Sequence, residues 1–411
     1  MEFLSKYKKI LLALGFLLIT VLLGYLLYAM FFKSSLPVTL EPEPGGTATG
    51  TGAGFPDTAS GTGKIIHTET GTDRTSLPGA AASPVARGGL TTVKDLEQTG
   101  GLGPTLGSNG SDLQFYDPKS EKFYRLGKDG ELTPLSDKKF HEVRNITWAS
   151  DKNTAILEYP DGANILYDFS ADKQITLPQH WENFDFSPSG DKIVMKSIGL
   201  DPDNRWLAVA NKDGSGSRII EDLGENAGSV YPDWSPNNQI IATYAKGVGF
   251  DRQEVFFVGL NDENFKSTVV EGRGFEPLWS PEGDRLLYSV YSTEDNLKPG
   301  LWVVNAEGES IGTGRRKLNV ETWAHKCAFG GSEGLYCAVP EKLSEGAGLI
   351  PELGLRTKDN LYKIDPVTGQ KKLLAVPDGT YNISNVIISD NGYYLYFTDE
   401  KTGKLHQINL K

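Results

Sequence analysis

Residues 275–290 read FEPLWSPEGDRLLYSV. The chain repeats this phrase as WENFDFSPSGDKIVMKS (181–197) and VYPDWSPNNQIIATYA (230–245), with a fainter copy, NVIISDNGYYLYFTD, at 385–399. Each copy runs from a large apolar residue through Ser-Pro or its remnant to Gly, Asn or Asp, then into an apolar strand pattern. Pro presets φ and Gly or Asn accepts positive φ, so the phrase spells strand, tight reversal, strand.

Worked outward, the phrase gives six units, beginning near residues 143, 184, 231, 275, 325 and 385. Their marker position holds Trp148, Phe186, Trp234, Trp279, Cys327 and Ile388 in turn. A second hairpin follows several copies, as in RWLAVANKDGSGSRIIE (205–221) and EVFFVGLNDENFKSTVV (254–270). Four short strands recurring every roughly 38–60 residues match the blades of a β-propeller. A lone blade cannot cover its apolar faces, and packing blades around an axis buries them. The expected fold is all-β: a six-bladed propeller of four-stranded blades, with seven blades as the alternative. The alternative arises because DLQFYDPKSEKFYRLGKDGELTPL (112–135) holds more strand than one missing slot requires. An N-terminal strand is expected to complete the last blade.

Residues 10–32, ILLALGFLLITVLLGYLLYAMFF, carry no charge. As a helix they would reach roughly 34 Å, enough to cross a bilayer core. The segment is longer than a cleaved signal's apolar region and lacks a small-residue cleavage site. Lys6, Lys8 and Lys9 precede it, while Lys33 is followed by Glu41 and Glu43. The positive-inside rule then keeps residues 1–9 cytoplasmic, makes 10–32 the contact with the lipid bilayer, and sends the rest outside. Residues 33–111 are rich in Gly, Thr, Ala and Pro and read as a flexible linker. Within it, KIIHTETGTD (64–73) and TTVKDLEQ (91–98) are possible docking segments. The propeller is assigned to 112–411. The expected location is the cytoplasmic membrane, single-pass, with the propeller extracytoplasmic.

The phrases WSPEGDRLLYS, DFSPSGDKIVM and PDWSPNNQIIATY resemble the WD40-like PD40 repeats of TolB-type propellers. The resemblance covers 140–411 and implies blades outside the cytoplasm that bind protein partners. The unit KCAFGGSEGLYCAVP also resembles that of uncharacterised membrane-anchored bacterial propellers. Related repeats occur in dipeptidyl-peptidase-type hydrolases, but those need a G-x-S-x-G elbow, and DGSGSR (213–218) does not fit it.

A net charge of −12 argues against a nucleic-acid partner, which would require a basic face. The short run Arg315-Arg316-Lys317 reads as a solvated hairpin. Cys327 and Cys337 are the only cysteines. If the fifth unit's hairpin turns about Ser332 they lie opposite each other, as a structural disulfide permitted outside the cytoplasm or as buried thiols. His67, His141, His180, His325 and His406 stand singly, and no cofactor or metal motif is evident.

Two constellations remain. Glu182, Asp185, Asp233, Glu276 and Glu321 recur at or near the start of the innermost strands. There they would form an acidic rim at a channel mouth, drawing a basic peptide or a cation, unless they serve as caps and turn acceptors. The insertion 341–360 carries Leu343, Leu349, Ile350, Leu353 and Leu355. It reads equally as a partner-binding loop or as a flap over a channel mouth. The functional expectation is a non-catalytic protein- or peptide-binding or scaffolding module of the cell envelope. The alternative is a propeller enzyme, of hydrolase, lyase or cyclotransferase type, with channel carboxylates.

Overall fold

The computed structural model describes residues 81–411 except 97–99, 129 and 332–333, together with 16, 18–23 and 25. The chain divides into two units, Met1–Arg74 and Thr75–Lys411. In the first, the described residues are helical, and Thr20 Oγ1 donates to the Phe16 carbonyl at 3.1 Å. Among the described residues no helix is long and apolar enough to cross a membrane. Most of the expected anchor, 10–32, and the segment 64–73 lie outside the described residues.

The second unit is a seven-bladed propeller. Its described residues form seven sheets, six of them built on four consecutive strands and the seventh on three consecutive strands joined by one from the start of the unit. Blade 1 spans 102–134, blade 2 145–177, blade 3 181–222, blade 4 230–270, blade 5 273–317, blade 6 327–377 and blade 7 383–409. Seven apolar clusters lie between successive blades. One joins Trp234 and Ile241 of blade 4 to Val194 and Leu207 of blade 3. Another joins Tyr396 and Leu405 of blade 7 to Leu113 and Phe115 of blade 1, which closes the circle. These buried faces are what a single blade would leave exposed to water.

The expectation of six blades is therefore corrected to seven. Blade 1 carries no Ser-Pro phrase. Its inner strand is Leu102–Leu106, LGPTL, and its apolar mass sits in the next two strands, where Tyr116 and Phe123 join an aromatic cluster with Phe140 and Tyr167. Strands also begin at Leu90, inside the stretch read as linker. Lys94–Asp95 pairs antiparallel with Leu405–Asn409 and supplies the outer strand of blade 7. Leu90–Thr91 adds a parallel fifth strand to blade 6. The closing strand was expected in kind; it comes from the segment 91–98, whose sequence read as a docking element.

The repeated phrase does one local job. In blades 1, 2, 3, 4, 5 and 7 a backbone N–H bonds the carbonyl three residues earlier, within 3.0 Å, at Gly110, Lys152, Gly190, Asn238, Gly283 and Gly392. All six have positive φ, between 58° and 71°. Gly and Asn tolerate this left-handed state cheaply, whereas a lysine does not. The residue just before the turn is the interblade wedge: Leu106, Trp148, Phe186, Trp234, Trp279 and Ile388. In blade 6 the hairpin closes from Gly330 N to the Gly334 carbonyl at 2.9 Å, so the wedge there is Phe329 rather than Cys327.

Cys327 instead faces Cys337 in register, with Cα atoms 4.1 Å apart, and the two form a disulfide. The bridge lies behind an inner hairpin that has neither Trp nor Ser-Pro.

Candidate functional site at the propeller axis

The innermost strand of each blade stands nearest the axis. One step before each wedge is a half-buried position, occupied by Thr105, Thr147, Asp185, Asp233, Leu278, Ala328 and Ile387 in blades 1 to 7. This ring is acidic on one side only, at blades 3 and 4, and apolar opposite.

Asp185 Oδ2 accepts the backbone N–H of Trp234 at 2.6 Å, so a side chain of blade 3 satisfies the free inner edge of blade 4. Burial raises the Asp185 carboxyl to about 6, against the pull of this bond and of Lys152. Asp233 is pushed well above the usual carboxylate range, by burial first and by the charge of Asp185 second. Two carboxylates so placed cannot both ionise freely, and the pair gives up its protons at higher pH than isolated aspartates would.

Lys152 approaches the pair from the blade 2 turn. It is the lysine in the left-handed slot, with φ 58°. Its Nζ lies 3.4 Å from Thr105 Oγ1. Burial lowers its pKa, opposed by Asp390, Asp151 and Asp185. A recess of about 460 Å³ opens beside it, lined by Thr105, Ser150, Lys152, Ile387 and Asp390 among others. Lys152 thus interacts with Asp185, and Asp185 with Asp233, beside the inner strands of blades 2 to 4. A strained backbone holding an ionisable group beside perturbed partners is a mark of functional sites.

Of the five acidic residues expected at a rim, the structure brings together Asp185 and Asp233. Glu276 lies apart and bonds the next blade, with Oε1 accepting from His325 N at 2.8 Å and paired with His325 Nδ1 at 2.7 Å. Burial alone would raise Glu276, but these His325 interactions outweigh it and hold the carboxyl below its usual range. Glu321 is exposed and pairs with Lys298 Nζ at 3.1 Å. Glu182 is exposed near the start of its strand, on the far side of a bulge from Asp185.

Asp185 and Glu276 therefore share a structural duty, bonding the inner edge N–H of the following blade. Gln253 does the same for Phe275 at 3.3 Å, and Asp359 for Ile383 at 2.6 Å. Asp233 has no such bond among the described hydrogen bonds. Lys152 was missed by the reading of acidic residues. Its signal was present in ASDKN (149–153), where lysine stands in the slot that SPSGD and SPEGD fill with glycine.

The insertion of blade 6 folds back rather than standing free. Leu343 is buried with Trp323 and Ala347, and Leu353 packs against them. A Cβ added to Gly354 would stand 2.7 Å from the Trp323 ring. Gly346 N and Gly348 N donate to the carbonyls of Asn296 and Leu297, at 3.0 and 2.7 Å. Leu355 is half-buried, whereas Leu349 and Ile350 are exposed.

No family model matches the chain. Among solved structures it is similar to an oligogalacturonate lyase in complex with manganese, at 14% identity and a TM-score of 0.54, covering 78% of this chain and 93% of that one. It is also similar to the β-propeller domain of Myceliophteria thermophila Cps50 (Swd1), at 8% identity and a TM-score of 0.50, covering 78% and 100%. The tricorn protease matches at 11% identity and a TM-score of 0.50, over 77% of this chain and 33% of that protein. At these identities the likenesses show one thing, the β-propeller fold.

Proposed function

We propose that the chain is a membrane-tethered, extracytoplasmic propeller of TolB type, acting as a non-catalytic binding module whose axial site takes a cationic group from a protein or peptide partner. The TolB assignment rests on the PD40-like phrases, and the tether on the uncharged run 10–32. The observation that carries the binding role is the Asp185–Asp233 pair. It is half-buried at the inner strands of blades 3 and 4, and among the described residues Lys152 is the cation that acts on it, through Asp185. An arriving ammonium or guanidinium would relieve the repulsion within the pair and displace its proton.

The test is titration of the full chain with a short lysine- and arginine-containing peptide at low salt. The double variant Asp185→Asn/Asp233→Asn should lose about tenfold or more in affinity, the scale of a desolvated charge contact. Wild-type affinity in that variant would remove the proposal.

A second reading, an enzyme with channel carboxylates, draws on Lys152. An amine whose pKa burial lowers, interacting with a carboxyl whose pKa burial raises, Asp185, is an acid–base arrangement. Among the described residues no three His, Cys, Asp or Glu side chains gather as metal ligands, so the manganese of the lyase is not carried over. Turnover of oligogalacturonate by the wild type, lost in Lys152→Met, would favour this reading over the first.

A further inference from the structure

Antiparallel strands send successive connections to opposite faces of the ring. The inner hairpin turns lie on one face. The loops from second to third strand, and the links from blade to blade, lie on the other. On this loop face blades 1, 2 and 7 carry short connections, PKSE (118–121), YPDGA (159–163) and EKTGK (400–404). Among the described residues these three hold no exposed large apolar side chain. Blades 3, 4 and 6 differ, because Leu200, Val248, Phe250, Leu349 and Ile350 stand exposed on their loops.

The blade 4 tip is a projecting hairpin. Strands Ile240–Gly249 and Arg252–Gly259 stay paired out to Gly249 and Arg252, whereas pairing to the inner strand stops at Val230 and Tyr244. A Cβ added to Gly247 would meet nothing within 4 Å. Phe250 keeps 72% of its surface exposed, and the Arg273 guanidinium lies 4.7 Å from its ring centre. Arg273 and Lys246 are exposed, and neither forms an ion pair among the described residues.

Hydrogen bonds tie these loops into one apron. Thr293 N of the blade 5 loop donates to Asp251 Oδ2 at 3.3 Å, and the blade 6 insertion bonds Asn296 and Leu297 of the same loop. The insertion also meets the link to blade 7, where Asp359 N donates to the Tyr381 carbonyl at 3.0 Å. That link holds the entering chain. Asp378 N donates to the Thr91 carbonyl at 3.0 Å, and Thr92 N to the Ser83 carbonyl at 2.9 Å. The chain thus joins the propeller beside the apolar loops, and a Gly-rich coil as long as 33–80 spans only on the order of 40 Å.

The apolar tips sit on separate blades, with the polar loop STEDNLK (292–298) of blade 5 between them, so they form no single groove. Such an array suits an extended, planar interface. There apolar side chains enter the acyl boundary while aromatic and basic groups stay at headgroup level.

We infer that the loop face rests on a lipid bilayer, with Phe250, Leu349 and Ile350 entering the headgroup–acyl boundary and Lys246 and Arg273 at lipid phosphates. The inference rests on the tether proposed above, which holds this face at high local concentration near the membrane. It leaves the turn face, towards which Asp185 and Asp233 lie, open to a partner.

The test uses the full chain reconstituted into phosphatidylcholine vesicles, with an NBD fluorophore attached at Val248→Cys, at Leu349→Cys or, on the turn face, at Glu282→Cys. Flotation with the vesicles reads the tether, and quenching by nitroxide-labelled lipid reads the docking. Quenching at 248 and 349 should exceed that at 282 by about threefold or more, and Phe250→Ser/Ile350→Ser should bring it down to the level at 282. Both substitutions fall on exposed side chains, so the fold is kept. A chain that floats while all three labels are quenched alike keeps the tether and overturns the docking, as does quenching that survives the double substitution. A chain that does not float overturns the tether, and the docking with it. A blue shift at 248 and 349 that grows with the protein-to-lipid ratio, without nitroxide quenching, assigns the face to a second copy and contradicts the inference.

Discussion

Lys152 and Asp185 show how a residue can serve fold and site together. Lys152 occupies a left-handed turn position that five other blades give to Gly or Asn. Lys152→Gly should stabilise the protein by about 1 kcal/mol, by relieving the backbone and removing a partly desolvated amine. Denaturant melts check this, and a clear loss of stability would mean that Lys152 anchors the axis. The carboxyl pair makes an opposite-signed pH prediction to ordinary acid unfolding. The folded-state pKa of Asp185, about 6, exceeds the unfolded value. Its protonation therefore favours the fold as pH drops from about 6 towards 4, and its ionisation penalises the fold above 6. Asp233→Asn removes the like charge, so it should raise the melting temperature at pH 8 and leave it nearly unchanged at pH 4. An equal shift at both values would argue against electrostatic repulsion as the cause. The sequence marked Asp185 and Asp233 by their place before the wedge. It did not mark them as neighbours, because adjacency depends on which blades abut.

Strands and loops explain which parts of the fold were readable. Blades 2 to 5 and blade 7 announce themselves through wedge and turn, because a left-handed reversal leaves few residue choices. Blade 1 has the same turn at Gly107–Gly110 but a leucine wedge after a proline-containing strand, so its inner hairpin resembles linker. The closing strands are two residues each, too short for any period to show. Blade 6 substitutes a covalent bridge for its lost phrase. Replacing Cys327 and Cys337 together by Ala should cost about 2–3 kcal/mol by the chain-entropy argument, read from urea midpoints against wild type. The insertion divides along its length. Leu343→Ala should cost about 2–4 kcal/mol by opening a cavity beside Trp323, whereas Ser at Leu349 and Ile350 should change stability by less than about 0.5 kcal/mol. A partner that needs this loop would register the second substitution and not the first.

At the scale of the whole ring, closure rests on residues 83–96. His406 Nδ1 meets Asp95 Oδ1 at 2.9 Å, Val93 N donates to Asp378 Oδ1 at 3.1 Å, and Ala86 N to the Asn409 carbonyl at 2.9 Å. Removing residues 1–80 should leave the melting temperature unchanged, whereas removing 1–100 should lower it by about 5 °C or more, since several kcal/mol of pairing is lost. The closed ring sets Asp185 and Asp233 side by side at the axis, and the binding role depends on that placement. The most direct measurement is the proton count on binding a lysine- and arginine-containing peptide, obtained by calorimetry at pH 7 in buffers of different ionisation enthalpy. Both carboxyls bind protons more tightly than ordinary aspartates, so an incoming cation should release protons on binding, with affinity rising as pH increases. Tight binding with no proton released, and equal affinity across pH, would contradict an axial cation site.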